Sequence, residues 1–298
     1  MDRRALPCVI LIGTITGSTL IASRFIITGQ ISPTTYTGLR LSLASLAYIL
    51  VYLLGIQGRK WPTGRRLWLH STVLGVFDPA IPMTLNALSL QYQSSGITSI
   101  LLTLVPASIV VMAHFFLPNE PLTRRKSLGV ILALLGAVLL AILGESGLPD
   151  VARVNQIGYL VILASVISVS AMTVYARKYM QNFDTFDVSF VRVMIAAIVV
   201  MPLSILLEGF DLSRANLQGL LALGYASFIG TFTGFLLGFW TIKRFGATPS
   251  AMVWYVLPVV TSIGGVLLLG EQLTVVIMTG MALIIVGIAL INQQRQNM

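Results

Sequence analysis

Long apolar runs alternate with short polar connections along the whole chain, and the runs have the length of membrane-spanning helices. A helix needs about 20 apolar residues to cross the hydrocarbon core of a bilayer. Turn-forming residues divide the chain into ten such runs, numbered here as spans 1 to 10. They are residues 7–27, 34–56, 67–91, 96–117, 127–143, 156–178, 186–208, 217–241, 249–269 and 273–291. The pattern predicts an all-α membrane protein with ten transmembrane helices.

The composition agrees with a protein that is dissolved in lipid. Of the 298 residues, 56% are hydrophobic and 10% are charged, whereas soluble domains contain about 25% charged residues. Ten spans with short connections leave no room for a separate soluble catalytic domain. Because Cys8 is the only cysteine, an intramolecular disulfide is excluded.

The basic residues fall on alternate connections. With the N-terminus placed inside, 14 Lys and Arg residues lie on the inner side, and only Arg153 and Arg214 lie on the outer side. Cytoplasmic connections of membrane proteins carry an excess of Lys and Arg. The bias predicts that both termini are cytoplasmic, and it explains the net charge of +9 without a nucleic acid partner.

The two halves of the chain share residues at a constant spacing. At an offset of 152 residues, Pro106 matches Pro258 and Arg40 matches Arg192. Because each half has five spans, an odd number, the second half must enter the membrane from the opposite side. We predict a first five-helix repeat at 1–143, a linker at 144–155 and a second, inverted repeat at 156–298. At an offset of 151, further matched residues are Glu120, Leu122, Thr123, Gly129 and Gly136 with Glu271, Leu273, Thr274, Gly280 and Gly287.

Ten helices in two units with paired Glu-x-Leu patterns resemble the drug/metabolite transporter superfamily, in its bacterial EamA-type branch. The resemblance covers essentially the whole chain. Gly270-Glu271-Gln272-Leu273 fits the family pattern, whereas the first copy has Asn119 in place of the glycine. Within the superfamily, the chain is most similar to exporters of aromatic amino acids. The resemblance implies a secondary transporter of the bacterial inner membrane that takes a small-molecule substrate by alternating access, without a cofactor or metal.

Spans 3 and 8 carry interruptions at matching positions. Pro79 and Pro82 each remove a backbone N–H donor from span 3. At the offset of 152, Asp78 corresponds to Gly230 and Pro82 to Gly234 in span 8. Inverted-repeat transporters bind substrate near the midplane, where helices are interrupted, so both spans are predicted to bend around a central cavity. Close packing through small residues is the alternative for the glycines.

Asp78 is the only acid well inside a predicted span. An ionised carboxylate at the bilayer centre costs about 3 kcal/mol on insertion scales, so we expect it to face a polar cavity or a partner. It could carry protons, contact a substrate ammonium group, or serve as a hydrogen-bonded structural acid. Asn86, two turns further along, could line the same path or form an interhelical hydrogen bond.

A second group of candidates lies around the prolines of spans 4 and 9. Pro106 and Pro258 are near the middles of these spans and free backbone carbonyls. The rings of Trp254 and Tyr255 are too deep for the interfacial belt of aromatic residues. We therefore predict that they line the cavity, with packed or lipid-facing rings as the alternative. Thr103 and Tyr225 complete the predicted substrate-binding residues.

Four charged residues near helix ends are interpreted as structural. Arg40 and Arg192 lie within two turns of a span end, from which their side chains can extend to the interface. As a matched pair on opposite sides, they could alternatively hold two gates closed. Glu120 and Glu271 begin spans 5 and 10, and we predict that they stabilise the N-termini of those helices.

Sequence motifs of other function classes are absent. There is no G-x-x-x-x-G-K-[ST] loop for nucleotides, and His70 and His114 are not part of an H-E-x-x-H pair. No paired acids fall within the spans to support an aspartyl mechanism, and no repeated ring of charge suggests a channel. We expect no enzyme but an exporter of aromatic and other neutral amino acids. The alternative is a drug or purine/nucleobase exporter of the same superfamily.

Overall fold

The computed structural model describes residues 5–117, 122–143, 145–149, 156–245 and 253–293. The regular structure in this part of the chain is helical. The helices are α1 (Ala5–Ile27), α2 (Pro33–Leu53), α3 (Arg65–Gly75), α4 (Ile81–Ser89), α5 (Ser95–Leu102), α6 (Val105–Phe116), α7 (Arg124–Leu143), α8 (Gln156–Tyr179), α9 (Thr185–Glu208), α10 (Leu217–Tyr225), α11 (Gly234–Phe245), α12 (Val253–Leu269) and α13 (Val275–Gln293). Two π-helical segments join α3 to α4 and α10 to α11.

The predicted spans appear as ten helical segments among the described residues. Seven segments are long and apolar enough to cross a membrane, and two shorter apolar helices occupy Val253–Leu269 and Val275–Ile291. The tenth segment is span 3, which is divided into α3 and α4. Residues 249–252, at the predicted start of span 9, lie outside the described residues. The prediction of an all-α multi-pass membrane protein is confirmed.

Helices of the first half of the chain pack directly against helices of the second half. The most extensive contacts join α7 to α13, α2 to α9 and α1 to α12. In the first pair, a Cβ atom added to Gly129 would lie 2.4 Å from the carbonyl oxygen of Gly287, and one added to Gly136 would lie 2.7 Å from that of Gly280. Glycine permits this close approach of two backbones, which favours helix association in lipid. These four glycines are the ones matched between the halves.

An aromatic cluster fills the contact between α2 and α9. The ring of Tyr48 is fully buried and packs edge-on against Phe186, with ring centroids 5.1 Å apart. Tyr52 packs against Phe190 at 4.8 Å. Aromatic pairs of this geometry add to the stabilisation that comes from burial alone. The cluster holds α2 and α9 together beside the interrupted helices.

The beginning of α9 is stabilised by a capping carboxylate. Asp184 Oδ1 accepts hydrogen bonds from the backbone N–H groups of Phe186 at 2.9 Å and Asp187 at 3.2 Å, and from Arg59 at 3.0 Å. Burial acts to raise the pKa of Asp184, but these hydrogen bonds and the Arg59 charge outweigh it and hold the pKa below its usual range. The cap fixes the start of the helix that carries Arg192.

Candidate functional site

Span 3 is interrupted at Asp78. Its backbone leaves the helical region, with φ −163° and ψ 98°, inside the π-helical segment Val76–Ala80. Pro79 follows directly, and Pro82 occupies one of the first two positions of α4, where a missing N–H donor is tolerated. The predicted interruption is present, and it leaves an acid at a break in the middle of the span.

Serines of α8 bind the backbone around this break. Ser168 donates a hydrogen bond to the carbonyl oxygen of Phe77 at 2.6 Å. Ser165 lies 3.3 Å from the carbonyl oxygen of Pro82 and donates to Oδ1 of Asn86 at 2.6 Å. Carbonyls that lose a helical partner need such donors in a membrane. Asn86 therefore forms the interhelical hydrogen bond that was one of its two predicted roles.

Asp78 is paired with Arg192 of α9. The Nη1 atom of Arg192 lies 3.2 Å from Oδ2 of Asp78, and the side chains are 5% and 21% exposed, respectively. The interpretation of Arg192 as extending to the interface is wrong, because its guanidinium lies in the protein interior beside a carboxylate. Charged groups within a membrane usually pair in this way. Asp78 has the partner that its position required.

Arg192 also reaches the second interrupted helix. Its Cζ atom lies 4.3 Å from the ring centroid of Phe235, in the first turn of α11. A guanidinium over an aromatic face is attracted by the ring quadrupole. Arg192 thus lies between the break in span 3 and the helix that follows the break in span 8.

The second interruption occupies the matching position in span 8. The π-helical segment Ala226–Thr233 separates α10 from α11, and the first break, shifted by 152 residues, corresponds to residues 228–232. A Cβ atom on Gly230 would lie 2.4 Å from Oγ1 of Thr19 in α1. Gly230 therefore lies within an interruption and also packs closely against α1, which is the packing alternative predicted for these glycines.

Arg40 contacts the second interruption as Arg192 contacts the first. Its Nε atom donates to Oγ1 of Thr231 at 2.7 Å, and Nη1 lies 3.5 Å from Oγ of Ser23. Because Thr231 is 1% exposed, the interface-seeking interpretation of Arg40 is also wrong. Each matched arginine binds the interrupted helix of the opposite half. The repeat spacing identified the two arginines as a matched pair, but the sequence analysis did not assign them this role.

Tyr48 joins the same region from α2. Its hydroxyl donates to the carbonyl oxygen of Phe232 at 3.2 Å, and the two rings pack with centroids 4.6 Å apart. The sequence analysis did not identify Tyr48 or Phe235 as site residues. Both belong to apolar runs in which an aromatic residue is unremarkable, so no sequence signal distinguished them.

The candidates in spans 4 and 9 form a separate group. Span 4 is divided, with α5 ending at Leu102 and Pro106 in one of the first two positions of α6. Pro258 lies inside the continuous helix α12. Thr103 follows the end of α5 and is 1% exposed, and its hydroxyl donates to the carbonyl oxygen of Ile100 in the last turn of α5. The crossing of α5 and α12 is joined by a hydrogen bond between Ser99 and Thr261.

The predicted aromatic candidates lie in two places. Trp254 and Tyr255 are partly buried and pack against the hydrophobic cluster formed by α5, α6, α7 and their neighbours, in line with the packed-ring alternative. Tyr225 ends α10, and its hydroxyl lies 2.6 Å from Oγ of Ser18 in α1. Asp78, Pro79, Pro82 and Asn86 therefore lie at or just after one break in span 3, and the structure places the other candidates in separate groups.

Glu271 stabilises a helix other than the predicted one. Its carboxylate is buried and accepts hydrogen bonds from Ser95 N at 2.7 Å, Ser95 Oγ at 2.9 Å and Gly96 N at 3.2 Å. These groups begin α5, whereas the helix that follows Glu271 starts at Val275. The prediction was wrong because the connecting segment folds the carboxylate back onto another helix start. Glu120 lies outside the described residues.

The fold and the site define a class of protein. The described helices form a multi-pass bundle whose halves contact each other around two interrupted spans and a buried ion pair, which is typical of membrane transporters. Within the described residues, no group of three His, Cys, Asp or Glu side chains could hold a metal ion.

Residues 3–142 and 156–293 each match the EamA-like transporter family, and the chain belongs to this family. It is 24% identical over 268 residues to an uncharacterized transporter of Archaeoglobus fulgidus, covering 89% of this chain and 90% of that protein. It is 26% identical over 259 residues to the uncharacterized transporter YoaV of Bacillus subtilis, covering 87% of each. The resemblance to the EamA-type branch of the superfamily is confirmed, as is the prediction that the protein is a transporter and not an enzyme.

Two further similarities bear on function and fold. A Salmonella typhimurium protein named "Probable amino-acid metabolite efflux pump" is 28% identical over 200 residues, covering 61% of this chain and 65% of that protein. A solved structure, described only as a crystal structure of a protein, has a TM-score of 0.66 at 19% identity and covers 97% of this chain and 99% of the other. The latter similarity shows a shared fold.

Proposed function

We propose that this protein exports aromatic and other neutral amino acids by alternating access, in a bacterial inner membrane with both termini in the cytoplasm. The observation that carries the proposal is the pair of matched helix interruptions, each bound by an arginine of the opposite half. The charge bias of the connections supports the orientation. The name of the Salmonella typhimurium relative supports an amino acid substrate.

The halves 1–143 and 156–298 are proposed to be inverted repeats separated by a linker at 144–155. Two separate matches to one family support the duplication. The helix contacts support it as well: α1 packs against α12 and α10–α11, whereas α8 packs against α6 and α4. In span numbers, span 1 contacts spans 9 and 8, and span 6 contacts spans 4 and 3, as exchange of the two repeats requires.

The arginine contacts suggest how two states could arise. Asp78 and Arg192 belong to different halves, as do Arg40 and Thr231. Removing one member of a buried ion pair leaves an uncompensated charge, so partly separated arrangements of the halves are unfavourable. Motion between the halves is therefore expected to exchange one complete set of contacts for another, which produces alternating access to a central site.

The substrate site is proposed to lie between the interrupted helices. Asp78, Pro79, Pro82 and Asn86 form its first-half wall. The remaining predicted binding residues form walls contributed by spans 4, 8 and 9, and these residues are Thr103, Pro106, Tyr225, Trp254, Tyr255 and Pro258. The polar break supplies the hydrogen-bonding groups, and the aromatic residues supply apolar surface for a substrate side chain.

Counterflow in proteoliposomes tests this function. Vesicles containing the full-length protein are preloaded with one unlabelled compound, and entry of labelled phenylalanine is followed, with protein-free vesicles as the control. We expect preloaded aromatic amino acids to accelerate the entry of labelled phenylalanine, and we expect this acceleration to saturate. The amino acid proposal would be wrong if purines or cationic drugs accelerated exchange of their own labelled forms while amino acids did not.

A further inference from the structure

The Asp78–Arg192 pair has the composition of a binding site for a zwitterion. We propose that Asp78 binds the α-ammonium group of the transported amino acid and that Arg192 binds its α-carboxylate. This inference rests on the proposed function and adds the residues that recognise the charged part of the substrate. A substrate that carries both groups replaces the contact within the pair by two contacts to the substrate, so that net charge at the site stays at zero.

The cost of charge in a membrane supports this assignment. Each uncompensated charge near the bilayer centre is costly, and a zwitterion brings one charge of each sign. Asp78 is the only acid well inside a predicted span, and Arg192 lies 3.2 Å from it. The pair therefore offers both counter-charges at one place.

The exposure of the two side chains suggests the order of contact. Asp78 is 21% exposed, whereas Arg192 is 5% exposed. The extended backbone at Asp78 places its carboxylate at the break between α3 and α4. An ammonium group can reach this carboxylate first, and its arrival weakens the hold of Asp78 on Arg192. The guanidinium is then available to the substrate carboxylate, while its face stays on the Phe235 ring.

The matched site in the other half argues against a purely structural carboxylate. Arg40, at the position equivalent to Arg192, is accommodated by the hydroxyl groups of Thr231 and Ser23. The position equivalent to Asp78 is Gly230. An arginine at the matched position therefore does not require an acid on the interrupted helix. The carboxylate is an addition to one half only, as expected for a group that recognises a ligand.

Inhibition of phenylalanine counterflow by analogues tests the proposal. The inhibitors are phenylalanine, 3-phenylpropionate, which lacks the ammonium group, and phenethylamine, which lacks the carboxylate. Wild-type protein should prefer phenylalanine to both. Asp78→Asn should reduce the preference for phenylalanine over phenylpropionate. Arg192→Gln should reduce the preference for phenylalanine over phenethylamine. Each reduction should be about ten-fold or more, which is the value of one charge-assisted hydrogen bond.

Two further variants keep the test decisive. Asp78→Asn/Arg192→Gln removes both charges together, which buried pairs tolerate better than the loss of one, and it should lose both preferences. Arg59→Gln removes an arginine from a more exposed ion pair and should keep both. If a single variant does not fold, the double variant and ligand-induced shifts in melting temperature of the purified protein give the same comparison.

The possible results separate this inference from the proposed function. Transport-competent variants that keep both preferences would overturn the inference while leaving amino acid export intact. If Asp78→Asn lost the response of transport to a pH gradient but kept both preferences, this result would also overturn the inference and would assign Asp78 to proton binding. Counterflow of purines or drugs instead of amino acids by the wild-type protein would overturn the proposed function itself.

Discussion

The two helix interruptions have the same position and different chemistry. The break in span 3 contains Asp78 and Pro79, whereas the break in span 8 contains Gly230 and Thr231. Both receive an arginine from the opposite half, but Arg192 binds a carboxylate and Arg40 binds hydroxyl groups. The interruption and the arginine are thus common to both halves, and the negative charge is specific to one.

This difference separates the requirements of the fold from those of the ligand. A break in a spanning helix needs partners for its freed backbone groups, and both halves meet this need with side chains of neighbouring helices. A carboxylate in the middle of a span is expensive, and only the first half has one at its break. The comparison predicts that neutralising each arginine will have unequal effects in the two halves.

Arg192→Gln should have the largest effect on stability. It leaves Asp78 in the interior without its counter-charge, and breaking a buried pair in this way costs about 3–5 kcal/mol. Thermal unfolding of the purified protein in detergent measures the loss. Asp78→Asn added to this variant should recover most of it, and the comparison fails if the double variant is no more stable than Arg192→Gln.

Arg40→Gln should cost less than Arg192→Gln. The variant removes the donor to two neutral hydroxyl oxygens, and these hydroxyl groups keep their own donations to backbone carbonyls. The expected loss of unfolding free energy is about 1–2 kcal/mol. The same unfolding measurement gives the value. An equal loss for both arginines would mean that the carboxylate adds nothing to the first site.

Gly230→Ala tests why the second break lacks a side chain. The new Cβ atom would lie 2.4 Å from Oγ1 of Thr19, and overpacking of this kind costs about 1–3 kcal/mol. A lower melting temperature is expected. Thr19→Ala removes the two closest atoms and should restore part of the loss. No change in Gly230→Ala would show that α1 does not constrain this break.

Hydropathy predicted the helices because each membrane-spanning helix satisfies its own backbone and needs a continuous apolar run. Span 7, predicted at 186–208, is Thr185–Glu208 in the structure. The first break was predictable because Pro79 lacks an N–H donor. The second was predicted only through its matching position, since Gly230 breaks a helix less strongly than proline does.

The contacts between helices could not be predicted in this way. Asp78 and Arg192 are 114 positions apart, and their meeting depends on how α9 is rotated against the broken span. Arg192 lies close enough to a helix end for its side chain to reach either water or the interior, so its position in the span did not decide between these two environments. The contact of Glu271 could not be predicted for a similar reason, because the path of the segment before Val275 decides which helix start its carboxylate reaches.

The smallest effect is expected at the ion pair outside the spans, which contrasts with the buried pair. Asp184 is about half exposed in its pair with Arg59, and such pairs contribute about 0–1 kcal/mol. Because its pKa lies below the usual range, its contribution is complete above the ordinary carboxyl pKa of about 3.9. The contribution is lost as the pH falls through the lower pKa of the folded protein. Asp184→Asn should therefore reduce stability slightly at neutral pH and should have no effect at a pH below the pKa of the folded protein. Melting curves of both proteins across this pH range measure the difference. A constant difference at all pH values would mean that the carboxylate charge does not support the start of α9.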